Sequence, residues 1–154
     1  MAIADRLRSI LAHLLLERPG RKVTLSDWGQ KLTKSGAAID QRAAKTKTPS
    51  AAETLRHIMS IERWGQRRLQ VALGEPFVQD ESDDYVPPIE PDLTKTRATF
   101  LATRQATIAL VDKLVAAKVD PALTILHNQM GPLTVRGWLS YLNTHANVES
   151  LRIR

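Results

Sequence analysis

The side chains here that can hold a metal ion or move a proton near neutral pH are four histidines and scattered carboxylates; there is no cysteine. Disulfides, thiolate catalysis and zinc–thiolate sites are therefore excluded, and a metal site would have to use His, Asp or Glu. The GxGxxG, GxxxxGK, GxSxG and HExxH patterns are also missing. The best-placed pair is His145 and Glu149. Val135, Leu139, Leu142, Ala146 and Ile153 form one apolar stripe at helical spacing, and Glu149 falls within it. His145 stands four residues earlier, about 40° away on the same side. A His and a Glu at that spacing can converge on one ion. A buried, unpartnered carboxylate is costly, so Glu149 should be metal-bound, paired with arginine or protonated. Alternatively, so close to the chain end, it sits in a frayed, hydrated turn.

A second stretch carries His57 and Glu62. Leu55, Ile58, Met59 and Leu69 mark its core face. Glu62 lies near the middle of that face and His57 toward its edge. Glu62 could orient a ligand histidine from behind, or pair with Arg63, Arg67 or a base on another helix. His57 by itself carries little information. His127 precedes the last helix and could reach the mouth of a bundle cavity or simply be solvated. His13 borders the apolar face of the first helix and reads as exposed.

These residues must be positioned by helices. Ala, Leu, Arg, Lys and Gln are abundant, while aromatics make up only 5%. A first helix is expected from about Ile3 to Glu17, burying Ile3, Leu7, Ile10, Leu11, Leu14 and Leu15 and ending at Pro19-Gly20. Residues 18–48 read as a basic connecting segment: a short helix capped by Ser26, a break at Gly36, then helix again over Ala37–Ala44. The second long helix should start near Ser50, with Ser50 and Glu53 as a capping box or Thr48 as cap before Pro49. It runs to about Leu73, where Gly74-Glu75-Pro76 stops it. Residues 75–91, with four prolines, form an extended crossover rather than a strand. Asp92 caps a third helix to about Lys118, with Leu93, Phe100, Leu101, Ile108, Val111, Leu114 and Val115 as its core face. Thr134 caps the fourth, with Leu133 and Trp138 as a hydrophobic staple. The expected architecture is all-α: a four-helix bundle over residues 1–154 as one domain, with a long crossover between the second and third long helices.

Charge sorts along the chain. The net charge is +6. Between Arg18 and Lys47 stand eight basic residues against Asp27 and Asp40, whereas Asp80 to Asp92 carries six acids and no base. A basic segment can attract nucleic acid, but this one holds a single aromatic, Trp28, and no nucleic-acid motif, so a solvated connection is the preferred reading. No apolar run is long enough to span a bilayer. The N-terminal apolar stretch is short, interrupted by His13 and followed by Glu17-Arg18, which argues for an amphipathic helix rather than a signal peptide. A cytoplasmic protein is expected.

The run Ser50-Ala51-Ala52-Glu53-Thr54-Leu55-Arg56-His57, followed by Ile61-Glu62-Arg63, resembles the second-helix signature of the DinB/YfiT-like family. Gly131-Pro132-Leu133-Thr134-Val135-Arg136-Gly137-Trp138-Leu139, followed by His145, resembles that family's entry into its last long helix. The resemblance covers about Pro49 to Arg154. It implies a four-helix bundle holding one divalent metal, with a histidine on the second helix and two one turn apart on the fourth. Those positions correspond here to His57, His145 and Glu149, the last a departure from histidine; a Trp frequent before the capping Ser is Pro49 here.

Two histidines and a carboxylate suit Zn²⁺, Ni²⁺, Mn²⁺ or Fe²⁺. The family's assigned chemistry implies a metal that activates a low-molecular-weight thiol for transfer or isomerisation, or a metal-dependent hydrolase, acting on a small-molecule substrate. Glu62 and His127 would then stand behind the ligands or beside the substrate. The alternative is a non-catalytic bundle, a homodimeric scaffold or stress-associated protein, that has lost the metal. Leftover apolar residues on outer helix faces could build a homodimer, as relatives often do.

Overall fold

The computed structural model describes Leu7, Ile10, Leu11 and residues 13–46 and 48–154. In chain order these form α1, a π-helical stretch His13–Glu17 continued by Arg18–Gly20; α2, Leu25–Lys45; α3, Ser50–Val71; a 3₁₀ turn, Ser82–Tyr85; α4, Leu93–Ala116; a hairpin of β1, Thr124–His127, and β2, Gly131–Thr134; and α5, Val135–Ser150. The expected all-helical bundle is present, and α2 to α5 are its four long helices.

The largest departure concerns residues 18–48. They hold no loose basic connection: Leu25–Lys45 is one unbroken helix. Thr24, not Ser26, caps it, its hydroxyl accepting the Asp27 amide at 3.2 Å. Gly36 does not break it. A Cβ there would lie 2.9 Å from Arg104 Cγ, so this glycine lets the Arg104 side chain cross the helix. Trp28, Leu32, Gly36, Ile39 and Ala43 are buried along one face, and Lys31, Lys34, Arg42 and Lys45 are exposed on the other. The basic excess is thus largely the solvated side of an amphipathic helix.

The first helix also departs. Leu7, Ile10, Leu11, Leu14 and Leu15 are exposed, whereas Leu16 and Glu17 are buried; Ile3 lies outside the described residues. Within the π-helical stretch His13–Glu17, i→i+5 bonding puts more residues in a turn than the 3.6-residue reading assumed, and Leu16 and Glu17 are the residues it buries. Glu17 accepts the Thr134 amide and hydroxyl, both at 2.7 Å, tying α1 to the N-terminus of α5, where negative charge is favoured. Gly137 makes room for it: a Cβ there would sit 2.0 Å from Glu17 Oε1.

Helix α3 begins without a capping box. Pro49 is itself the N-cap, in helical conformation and without a side-chain cap, so neither Ser50 nor Thr48 caps this end; the Ala51 and Ala52 amides bond to the Thr48 and Pro49 carbonyls. Gly74, at φ +99°, terminates it as expected. The following crossover is held by buried Arg68, which donates to the Val78 carbonyl at 2.7 Å and pairs with Asp80 at 2.7 Å. Its guanidinium also lies over the rings of Trp64 and Phe77. Asp92 caps α4 through the Thr94 amide at 2.8 Å. Leu101 and Val115, expected in the core, are exposed; Thr103, Arg104 and Thr107 are buried in their place.

The residues before α5 form a hairpin rather than a loop, with Ile125 opposite Leu133 and His127 opposite Gly131. Thr134 caps α5 by accepting the Gly137 amide at 2.9 Å, and Leu133 and Trp138 are both buried, as a staple requires. The core divides in two. One cluster centres on Trp28, Trp64, Trp138 and Leu139; the other joins Ile39, Leu55, Ile58, Phe100 and Ala146. The sequence positions between them carry a polar layer: Ser35, Glu62, Arg104, Thr107 and Asn143, contributed by all four long helices. No described helix is long and apolar enough to cross a membrane.

Candidate metal centre

His57 stands two turns into α3 and is exposed; His145 and Glu149 stand one turn apart on α5 and are half-buried. The packing of α3 on α5 brings the two imidazoles together from 88 residues apart, with Nε2 to Nε2 at 3.2 Å and the rings near edge-on. A Glu149 oxygen lies within 4.8 Å of both nitrogens. Two imidazole nitrogens bound at ~2.0–2.1 Å to a tetrahedral ion stand about 3.3 Å apart, so the observed separation fits a shared divalent cation without rearrangement. Burial, then the nearby His57 and Arg152, lower the His145 pKa to about 4. Its ring is therefore neutral at pH 7 and keeps a lone pair for a ligand or proton.

Glu149 is not frayed into solvent. The last turn is tied down: Ile153 is buried, and the hydroxyls of Thr46 and Thr48 donate to the Arg154 carbonyl. The carboxylate pairs with Arg152 at 3.0 Å, an arginine that is itself largely exposed.

The other two candidates stand elsewhere. Glu62 is buried with Arg104 at 3.0 Å and accepts the Thr107 hydroxyl at 2.7 Å; it bonds to neither imidazole. Burial raises its pKa, opposed by Arg104 and then Thr107. It belongs to the polar layer of the bundle, as the reading of a base on another helix had it. His127 is neither solvated nor at the ion site. Its ring packs against Trp64, Trp138 and Tyr141, and its Nδ1 accepts the Gln129 and Met130 amides at 3.1 and 3.2 Å. Burial, then the Arg68 charge, lower its pKa to about 4. Tyr141 separates it from His145, with ring centroids 4.9 and 5.9 Å away respectively.

The model of the DinB superfamily matches residues 5–148. The chain belongs to the DinB superfamily. Neither a search of curated proteins nor one of solved structures returns a match. This DinB protein keeps both motifs that carried the resemblance, and the family match ends one residue before Glu149.

Two features of the surroundings escaped the sequence reading. Tyr141 lies four residues before His145, so the same stripe that selected His145 and Glu149 pointed to it. Arg68 gave no signal, because a buried arginine is recognised only by the carbonyls and carboxylate that surround it. Beside the candidate ligands a cleft of about 390 Å³ opens between α1 and α5; His145, Glu149 and Tyr141 are among its walls.

Proposed function

We propose that this DinB protein is a metal-dependent enzyme in which His57, His145 and Glu149 hold one divalent cation, Zn²⁺, Ni²⁺, Mn²⁺ or Fe²⁺. A cation with three protein ligands keeps positions open for water, a thiol or substrate, and supplies Lewis acidity that lowers the pKa of a bound nucleophile. Thiol-dependent transfer or isomerisation and hydrolysis both follow from that chemistry. The observation that carries the reading is the 3.2 Å approach of two Nε2 atoms from distant segments, with a carboxylate oxygen beside them. Burial keeps His145 neutral, and the well-packed α5 holds both of its ligands at fixed spacing. The apolar wall of the cleft would shield a reacting group from bulk water.

Metal analysis of purified protein tests it, with and without added Ni²⁺ or Zn²⁺. About one equivalent is expected in the parent and none in His145→Ala. Unchanged metal content in that variant would refute the site.

A second reading is a non-catalytic bundle without metal, favoured by the Glu149–Arg152 pair. There one neutral imidazole donates its Nε2–H to the other, and Arg152 satisfies the carboxylate. Protein that stays metal-free under every loading condition would support it. Homodimer formation and a cytoplasmic location complete the proposal for either reading.

A further inference from the structure

The cleft beside the ion ligands has two chemically distinct parts. Leu15 and Leu16 of α1, Leu11 just before the range given for α1, Met130 from the turn of the hairpin and Val148 from α5 make an apolar wall. Against it stand His145, Glu149 and Tyr141, which α5 presents at one-turn intervals. Leu11, Leu15 and Val148 are exposed, so this wall places large apolar side chains at the surface next to a candidate metal centre. A volume of about 390 Å³ is that of a small-molecule site. Among the described residues, neither lysine nor arginine lines it. Its described lining, with five aliphatic or thioether side chains, therefore offers far more surface to an uncharged hydrocarbon body than to a chain of charged groups.

We propose that the cleft takes a small amphiphile: a neutral hydrocarbon or aromatic body with one oxygen-bearing head group that coordinates the ion. The inference rests on reading His57, His145 and Glu149 as metal ligands, and it narrows the substrate class of that site. The body lies along Leu15, Met130 and Val148, where each buried methylene adds to affinity. The head group reaches the ion beside His145. The Tyr141 ring is largely buried and lines the cleft, and burial pushes its pKa up to about 12. It therefore remains protonated and can donate to a head-group oxygen. Tyr141 is a positioning residue in this scheme.

The test compares two hydroxamates with the same chelating head, acetohydroxamate and octanohydroxamate, on metal-free and Ni²⁺- or Zn²⁺-loaded full-length protein. The neutral fluorophore N-phenyl-1-naphthylamine reports the apolar wall independently of any ion. On loaded protein, octanohydroxamate should bind at least ~30-fold more tightly than acetohydroxamate, the increment for burying two or three methylenes. Val148→Asp, at an exposed position of the apolar wall, should bring the ratio of the two affinities down to about one. Tyr141→Phe should weaken both hydroxamates equally and spare the naphthylamine. Naphthylamine bound by metal-free protein and lost in Val148→Asp supports the apolar site whatever the ion does. Hydroxamates indifferent to added metal overturn the metal reading and the placement of the head group with it. Equal affinity for the two hydroxamates, with no naphthylamine binding, overturns the proposal. So does a dimer in sedimentation that Val148→Asp dissociates, since the wall would then belong to a second copy.

Discussion

Two glutamates in this protein face an arginine at the same 3.0 Å, and the two pairs behave as opposites. In the Glu62–Arg104 pair both side chains are 2% exposed, whereas Arg152 is 73% and Glu149 15% exposed. The first pair is committed: Thr107 and Arg104 occupy the carboxylate, Ser35 lies near the guanidinium, and each charge left alone would sit in the core. The second is available, because an exposed arginine held by a surface ion pair contributes little and can swing away. A carboxylate in the bundle is thus structural when its partner is buried, and able to bind a ligand when its partner can leave.

Breaking the committed pair should have the largest effect. Arg104→Ala strands the Glu62 charge and should cost about 3–5 kcal/mol in denaturant unfolding. Replacing Glu62 and Arg104 together by Met and Leu should recover most of that loss; a double variant as unstable as the single one would mean that packing, rather than stranded charge, dominates.

The buried His127 comes next. Its folded pKa of about 4 lies below the unfolded value near 6.5, so the unfolded chain takes up the proton first. The neutral ring costs nothing above pH 6.5; stability falls as pH drops from 6.5 toward 4, by up to about 3 kcal/mol. His127→Gln should flatten that part of the pH–stability curve, and a slope unchanged in this variant would assign it to other groups.

At the available pair the effects appear in metal binding rather than in folding. Glu149→Gln should weaken Zn²⁺ or Ni²⁺ binding at least about ten-fold, since even partners of metal ligands are worth 10–100-fold. Arg152→Ala should change stability by less than about 0.5 kcal/mol, and should leave metal affinity equal or tighter in calorimetric titration. Weaker binding in Arg152→Ala would show that this arginine supports the site instead of competing for it.

Much of this architecture was legible beforehand. The caps at Asp92 and Thr134, the stop at Gly74, the Leu133–Trp138 staple and the crossover over residues 75–91 all follow from local chemistry, and local chemistry is written in consecutive residues. Helix α2 was misread because Gly36 looks like a breaker when its neighbour, Arg104, lies 68 positions away and unseen. The face of α4 was misread for a related reason. Leucine and valine were assumed buried, but the interior faces of α3 and α2 offered Glu62 and Ser35, which drew Arg104 and Thr107 inward. His127 looked like a loop residue because a four-residue hairpin strand leaves almost no periodicity to detect.

Helices α3, α4 and α5, most of their ends and the pair His145 and Glu149 were determined by residue type and spacing, since capping and one-turn convergence depend on neighbours in sequence; His57 joined that pair only through the resemblance to a family. Whether the two imidazoles meet, which glutamate is sealed in the core and which faces a cleft were decided only by how the helices pack. Burial and partner choice are properties of the neighbours a side chain meets across the bundle, and those neighbours come from distant parts of the chain.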